Sequence, residues 1–128
     1  MKSYIGTKQV KATPAYRKGG KVYLPTDPMP RTLEPLEDGY KVVYEDGYES
    51  WSPKDVFEKA YKVADTFKDR LVIEQKELAD KLQKLCFFTE GPKFEEIVKD
   101  AKQRDLLLKQ KEYMGEYLNI LNQRIDSL

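Results

Sequence analysis

The sequence predicts an α+β fold: a small N-terminal antiparallel β-sheet with a short helix, followed by a C-terminal antiparallel helical hairpin. Three observations carry this. Six of the seven prolines and five of the seven glycines lie within the first 53 residues, which limits that half to turns and short strands. Asp46-Gly47 sits between two β-favouring runs. Beyond Phe57 only Gly91, Pro92 and Gly115 interrupt apolar residues at helical spacing. The predicted division is an N-terminal β-rich module over 1–63 and a helical hairpin over 64–128.

In chain order, Ile5 to Ala12 alternates loosely and can form a strand. Tyr16 to Arg31 reads as a loop with a short strand at Lys21–Leu24, bounded by Gly19-Gly20 and Pro25. Tyr40, Val42 and Tyr44 precede Asp46-Gly47; Tyr48, Ser50 and Trp51 follow. That arrangement predicts a type I′ hairpin, whose two central residues both need positive φ. Ser52 then caps a short helix, with Pro53 at its first position and Asp55 facing the dipole. This helix runs to about Tyr61 and lays Val56, Phe57 and Ala60 against the hairpin.

From Thr66 to about Phe88 the pattern is helical, capped by Asp65 or Thr66. Leu71, Leu78, Leu82 and Leu85 share one face, with Gln75 in line among them. Glu90-Gly91-Pro92 ends the helix. Phe94 to Val98 forms a short turn that supplies Phe94 and Ile97 as a lid. The last helix runs from about Gln103 to Ser127. Its Leu107, Met114, Leu118, Leu121, Ile125 and Leu128 form one stripe that packs on the first long helix. Leu106, Tyr113, Tyr117, Ile120 and Arg124 form a second stripe, which needs the N-terminal sheet or a second subunit. Its tyrosines and arginine favour the subunit, because interfaces enrich aromatic residues and Arg.

Composition excludes much chemistry. The chain has 128 residues, 23 basic and 22 acidic, and a net charge of +1. Neither half is markedly basic, so binding DNA or RNA through bulk electrostatics is not expected. There is no histidine, which removes Ser-His, Cys-His and His-zinc chemistry. The single cysteine excludes an intramolecular disulfide and any multi-Cys metal site. In Leu85-Cys86-Phe87-Phe88 it reads as a buried, inert thiol.

The carboxylates fall on solvated helix faces, with Glu77/Lys81 and Asp80/Lys84 as i,i+4 pairs. No catalytic residue, metal or cofactor is expected. Arg17-Lys18-Gly19-Gly20-Lys21 lacks the ending of a Walker loop and reads as a mobile basic loop able to touch a phosphate. No signal peptide opens the sequence and no apolar run reaches about 20 residues; a soluble, cytoplasmic protein that meets no membrane is expected.

Aromatic rings that could stack on a base, and cations that could meet phosphate, group at Trp51–Lys54, Tyr61-Lys62, Phe87-Phe88, and Tyr113, Tyr117 and Arg124. These residues alone leave two readings open: a small-molecule binding protein, or a helical protein-interaction module with no nucleotide ligand. A hydrolase acting on a nucleotide signal is a weaker third.

Two segments resemble a known phage family. One is Tyr4-Ile5-Gly6-Thr7-Lys8 with the run from Gly39 through Ser52-Pro53-Lys54 to Val56-Phe57-Glu58-Lys59-Ala60-Tyr61. It resembles an N-terminal module with the pattern YIGTK, then GYxVxYxDGYxSWSPKxVFExAY. The other runs from Arg70 through Leu78, Leu82, Phe87, Phe94, Met114, Tyr117, Leu121 and Arg124 to Ile125. It resembles the helical hairpin shared by Thoeris anti-defence sponges and the anti-CBASS cyclic-oligonucleotide sponges. The combination resembles the Thoeris type.

The resemblance implies a protein acting in the cytoplasm of an infected bacterial host. It would bind glyco-cyclic ADP-ribose, the signal of a TIR-domain enzyme, and sequester it without cleavage. Some relatives form hexamers and hold cyclic di- or trinucleotides at separate sites, so a homo-oligomer, dimer or hexamer, is implied. The ligand-binding residues expected on this basis are Phe87 or Phe88 against adenine and Tyr113 or Tyr117 closing over it. Arg124 and Lys62 would meet the pyrophosphate, with Trp51 and Lys54 near the mouth beside Tyr61. Lys62 stands where relatives often carry Arg, which keeps the charge but loses the bidentate fork. The Pro14–Pro35 loop lacks the Met-Thr-Arg and Tyr-Arg-Gly-Trp elements of relatives, a departure that bears on preference among cyclic isomers.

Overall fold

Four antiparallel strands precede four helices in the computed structural model, which describes residues 1–128. The chain divides into two units, Met1–Lys62 and Val63–Leu128.

In the first unit, β1 (Lys11–Lys18), β2 (Lys21–Tyr23), β3 (Glu37–Val43) and β4 (Glu49–Pro53) form one sheet in the order β2-β1-β3-β4. The expected strand over Ile5–Ala12 lies elsewhere: β1 begins at Lys11 and runs through Pro14 to Lys18. Lys11 opposes Val43, the last residue of β3, so anything earlier would face the turn. Pro14 is tolerated because hydrogen-bonded pairs alternate along an antiparallel ladder. The Tyr44 N–H donates to Tyr48 O at 2.9 Å, and counting from it makes Pro14–Tyr40 a non-hydrogen-bonded pair. Pro14 therefore points its nitrogen to the other side, where β2 reaches no further than Tyr16. Locally β1 is an edge, where proline is allowed.

Gly19 and Gly20, at φ +57° and +76°, join β1 to β2. The basic stretch expected to be a mobile loop is thus a tight two-residue hairpin. At Asp46-Gly47 the expected type I′ turn is replaced. Only Gly47 has positive φ (+88°), and its N–H donates to Tyr44 O at 2.9 Å. The connection is a type I turn with glycine at its left-handed position, and the Asp46 carboxylate accepts from the Tyr48 N–H at 3.0 Å. Placing the extra residue in the loop leaves Asp46 unstrained.

The core of this unit is Ala15 and Val42, and Trp51 lies across Gly39. A Cβ on Gly39 would run into Ser52 O and the Trp51 ring. Ser52 remains in β4, its hydroxyl directed at Pro53 O (3.4 Å), so it is not the helix cap. Pro53 takes that place, with extended ψ 146°, and α1 spans Lys54–Ala60. Phe57 alone packs inward, stacked on Tyr40 at 4.3 Å; Val56 and Ala60 are exposed.

In the second unit, α2 (Phe67–Glu90) and α4 (Ala101–Asp126) form an antiparallel hairpin, with α3 (Phe94–Ile97) in the connection. Thr66 caps α2 through a complete capping box: its hydroxyl accepts from the Asp69 N–H (3.0 Å) and Asp69 accepts from the Thr66 N–H (3.2 Å). Such a cap contributes about 1 kcal/mol. Asp100 does the same for α4 through the Lys102 N–H (3.0 Å), which starts that helix two residues ahead of the expected Gln103.

Leu71 and Leu121 are buried, with Leu78, Leu82, Leu85, Leu107, Met114, Leu118 and Ile125 half-buried around them. This is the predicted seam, except that Leu128 is exposed. Phe94 is buried against Phe88, edge-on at 5.4 Å. Ile97 is exposed, so the expected lid is Phe94 alone, and Cys86 is half-buried rather than buried. Glu77/Lys81 and Asp80/Lys84 form no ion pairs; the close pairs are Arg17–Glu37, Lys41–Glu49 and Lys111–Glu90. No helix is long and apolar enough to cross a membrane.

Candidate functional site

The α2–α4 hairpin has two flanks. On one, Leu82, Cys86, Leu108, Lys111, Glu112 and Gly115 line a shallow groove of about 400 Å³. A second groove of about 390 Å³ continues along α2 past Ala79, Cys86, Phe87 and Glu90. Phe87 belongs to this flank and is 72 % exposed. Lys111 is turned to Glu90 at 3.3 Å.

The other flank carries the second stripe of α4. Leu106, Tyr113, Tyr117 and Ile120 are exposed, and so is Arg124. At about 100° per residue these lie well round α4 from Leu108, Glu112 and Gly115. The Arg124 guanidinium sits 6.0 Å from the Phe67 ring, at the beginning of α2, twenty residues and about 30 Å of helix from Phe87. One hairpin therefore brings Tyr113, Tyr117 and Arg124 onto a common stripe but does not bring Phe87 to them. Phe88 faces Phe94.

Between the flanks, Gln75 Nε2 donates to Asn122 Oδ1 across the seam. The place of Gln75 among leucines was legible in the sequence; its partner was not.

In the N-terminal unit, Trp51 and Tyr61 lie on different faces of the sheet. Trp51 pairs with Lys41 in register, and strand residues alternate faces. Tyr40, next to Lys41, therefore points the other way, into the stack with Phe57 (4.3 Å) and on to Tyr61 (4.9 Å).

Trp51 donates from Nε1 to Ala15 O at 3.0 Å and is covered by the Arg17 guanidinium at 4.2 Å. Glu37 holds Arg17 through two bonds, 3.2 and 3.0 Å. That bidentate pair lowers the Glu37 carboxyl below its ordinary range and raises the Arg17 guanidinium. Sequence reasoning missed this trio, because its members meet only once β1 extends to Lys18. The Tyr40 hydroxyl donates to Glu58 at 2.9 Å; that bond, ahead of lost solvent and the carboxylate's charge, raises the Tyr40 phenol. Lys62 donates from Nζ to Glu58 O at 3.3 Å, and Lys54 is exposed at the first position of α1.

Neither groove encloses a nucleotide-sized ligand; small-molecule sites commonly bury 70–90 % of the ligand. The described surfaces instead offer stacking rings and cations. No group of three or more carboxylates or thiols is placed to hold a metal ion.

No curated protein and no solved structure matches the chain. A family model described as Sequestin matches residues 65–127, from just ahead of the Thr66 cap to just beyond α4. At family level the match supports a sequestering, anti-defence role in which a small-molecule signal is bound. The C-terminal helical unit is thus similar to the Sequestin family over nearly its whole length.

Proposed function

We propose that this protein binds and sequesters, without cleaving, a cyclic ADP-ribose-type signal made by a TIR-domain enzyme, and so blocks Thoeris defence inside an infected bacterium. The observation that carries the reading is the Sequestin match over residues 65–127. The N-terminal pattern from Tyr4 to Tyr61 narrows it to the Thoeris type by resemblance.

The unpartnered stripe Tyr113, Tyr117, Ile120 and Arg124 supports assembly of copies through α4, as a dimer or a hexamer. A sponge must win its ligand from an effector, which calls for nanomolar binding, about −12 kcal/mol. A shallow groove on one hairpin does not supply that, whereas burial between copies can. In this reading Phe87 or Phe88 of one copy stacks on adenine while Tyr113 or Tyr117 and Arg124 of another close over it. Lys62, Tyr61, Lys54 and Trp51 are further ligand-binding candidates within the N-terminal unit. Cyclic di- and trinucleotides are a second ligand class, held at separate sites.

The test mixes purified protein with the product of a TIR-domain enzyme and removes free small molecules by filtration. The retained protein is then heated and the released compound identified by mass spectrometry. Intact cyclic ADP-ribose, near-equimolar with protein, is expected. Signal left free and unaltered in the filtrate would overturn the reading and favour a helical protein-interaction module. A cleaved product accumulating with time would favour a hydrolase.

A further inference from the structure

We propose that residues 4–9 of one copy add as a fifth strand along the free edge of β4 in a second copy. The segment and the edge each lack a partner. Residues 1–9 are exposed and pair with no strand; Tyr4 is 88 % and Ile5 95 % exposed. Continuing β1 beyond the end of β3, they find no partner strand there. Since Lys11 already opposes Val43, the chain before Lys11 projects past the β3–β4 turn.

The composition of the segment nevertheless suits a strand. Tyr4, Ile5 and Thr7 are β-favouring, and the segment contains no proline.

The edge is defined by the same ladder that explains Pro14. Tyr48, Ser50 and Ser52 turn their backbone groups to β3, so those of Glu49 and Trp51 point outward from the last strand of the sheet. Unpaired edge groups are a template for another chain, and strand addition is an established recognition mode.

Charge selects the occupant. Residues 1–12 carry Lys2, Lys8 and Lys11 and no carboxylate, whereas the end of the hairpin carries Glu45 and Asp46 beside Glu49, which already meets Lys41 at 3.4 Å. A second copy brings that basic, β-favouring segment to this acidic edge. The contact is separate from α4 and does not depend on the ligand.

Backbone hydrogen exchange of the full-length chain, followed residue by residue at low and high protein concentration, tests this. The Glu49 and Trp51 amides are expected to exchange at least tenfold more slowly at high concentration. Thr7→Pro combined with Lys8→Pro, which removes a ladder donor whichever alternate set faces β4, is expected to abolish that slowing while Leu71 keeps its protection. Glu49 and Trp51 exchange that is fast at both concentrations would overturn the proposal. So would slowing that is independent of concentration, or slowing that survives the paired proline substitutions, because another occupant would then cover the edge. Loss of ligand binding with the slowing intact would count against the proposed function alone.

Discussion

Gln75 donates to Asn122 across the α2–α4 seam, one polar bond in an otherwise apolar row that includes Leu71, Leu78 and Leu82 on α2 and Leu118, Leu121 and Ile125 on α4. Deleting one partner leaves the other half-buried and unsatisfied, which costs about 1–3 kcal/mol. Gln75→Ala should therefore lower the urea midpoint of helix unfolding. Gln75→Leu combined with Asn122→Leu should restore most of it, because two apolar groups leave nothing unpaired. If the pair instead fixes register, the double variant will melt broadly and associate heterogeneously, which sedimentation reads.

Gly39 allows Trp51 to lie flat across the sheet. A Cβ there meets both Ser52 O and the indole, and the strands cannot separate without breaking the ladder. Gly39→Ala should destabilise the N-terminal unit by about 1–3 kcal/mol, the usual range for overpacking. Trp51 is the only tryptophan, so its fluorescence reports this unit alone. It should unfold at lower denaturant than in the parent chain, while helical ellipticity retains its own transition.

Glu37 has a depressed carboxyl because it accepts two bonds from Arg17. A folded value below the unfolded one means that the contribution is present above the ordinary glutamate range near 4.5. It is lost as pH falls through the lower, folded value. Trp51 emission, set partly by Arg17 4.2 Å above the ring, should change in that acid window and stay flat from there to neutrality. Glu37→Gln should remove the acid step. A step that persists in Glu37→Gln would assign it to another carboxylate.

Much of the fold was legible because it rests on local rules: the two long helices and their leucine seam, the Thr66 cap, and the strands either side of Asp46-Gly47. The misplacements have a common origin in non-local pairing. β1 could not be placed without its register to β3, since Pro14 argues against a strand until one sees that β2 stops short of it. The Ser52 cap failed because β4 claimed that residue first. Of the proposed ligand-binding residues, helical spacing placed Tyr113, Tyr117 and Arg124 on one stripe. It could not show that Phe87 lies on the other flank, because that depends on how the two helices are rotated against each other.

That separation makes a sharp prediction about the ligand site. If Phe87 of one copy and Arg124 of another complete it, Phe87→Ala and Arg124→Ala should each weaken binding, and together abolish it, while the helical content is unchanged. Ile120→Glu or Tyr117→Glu should lower the mass seen by light scattering and lose ligand in parallel. Mixing Phe87→Ala subunits with Arg124→Ala subunits, after dissociation and reassembly, should recover wild-type sites. In a two-fold pair each mixed dimer has one site with both residues intact and one with neither. Random exchange thus restores about a quarter of the sites, measurable by calorimetric titration with the cyclic nucleotide. No recovery on mixing, with each single variant still impaired, would place both residues' contributions in sites within one chain and remove the requirement for a second copy.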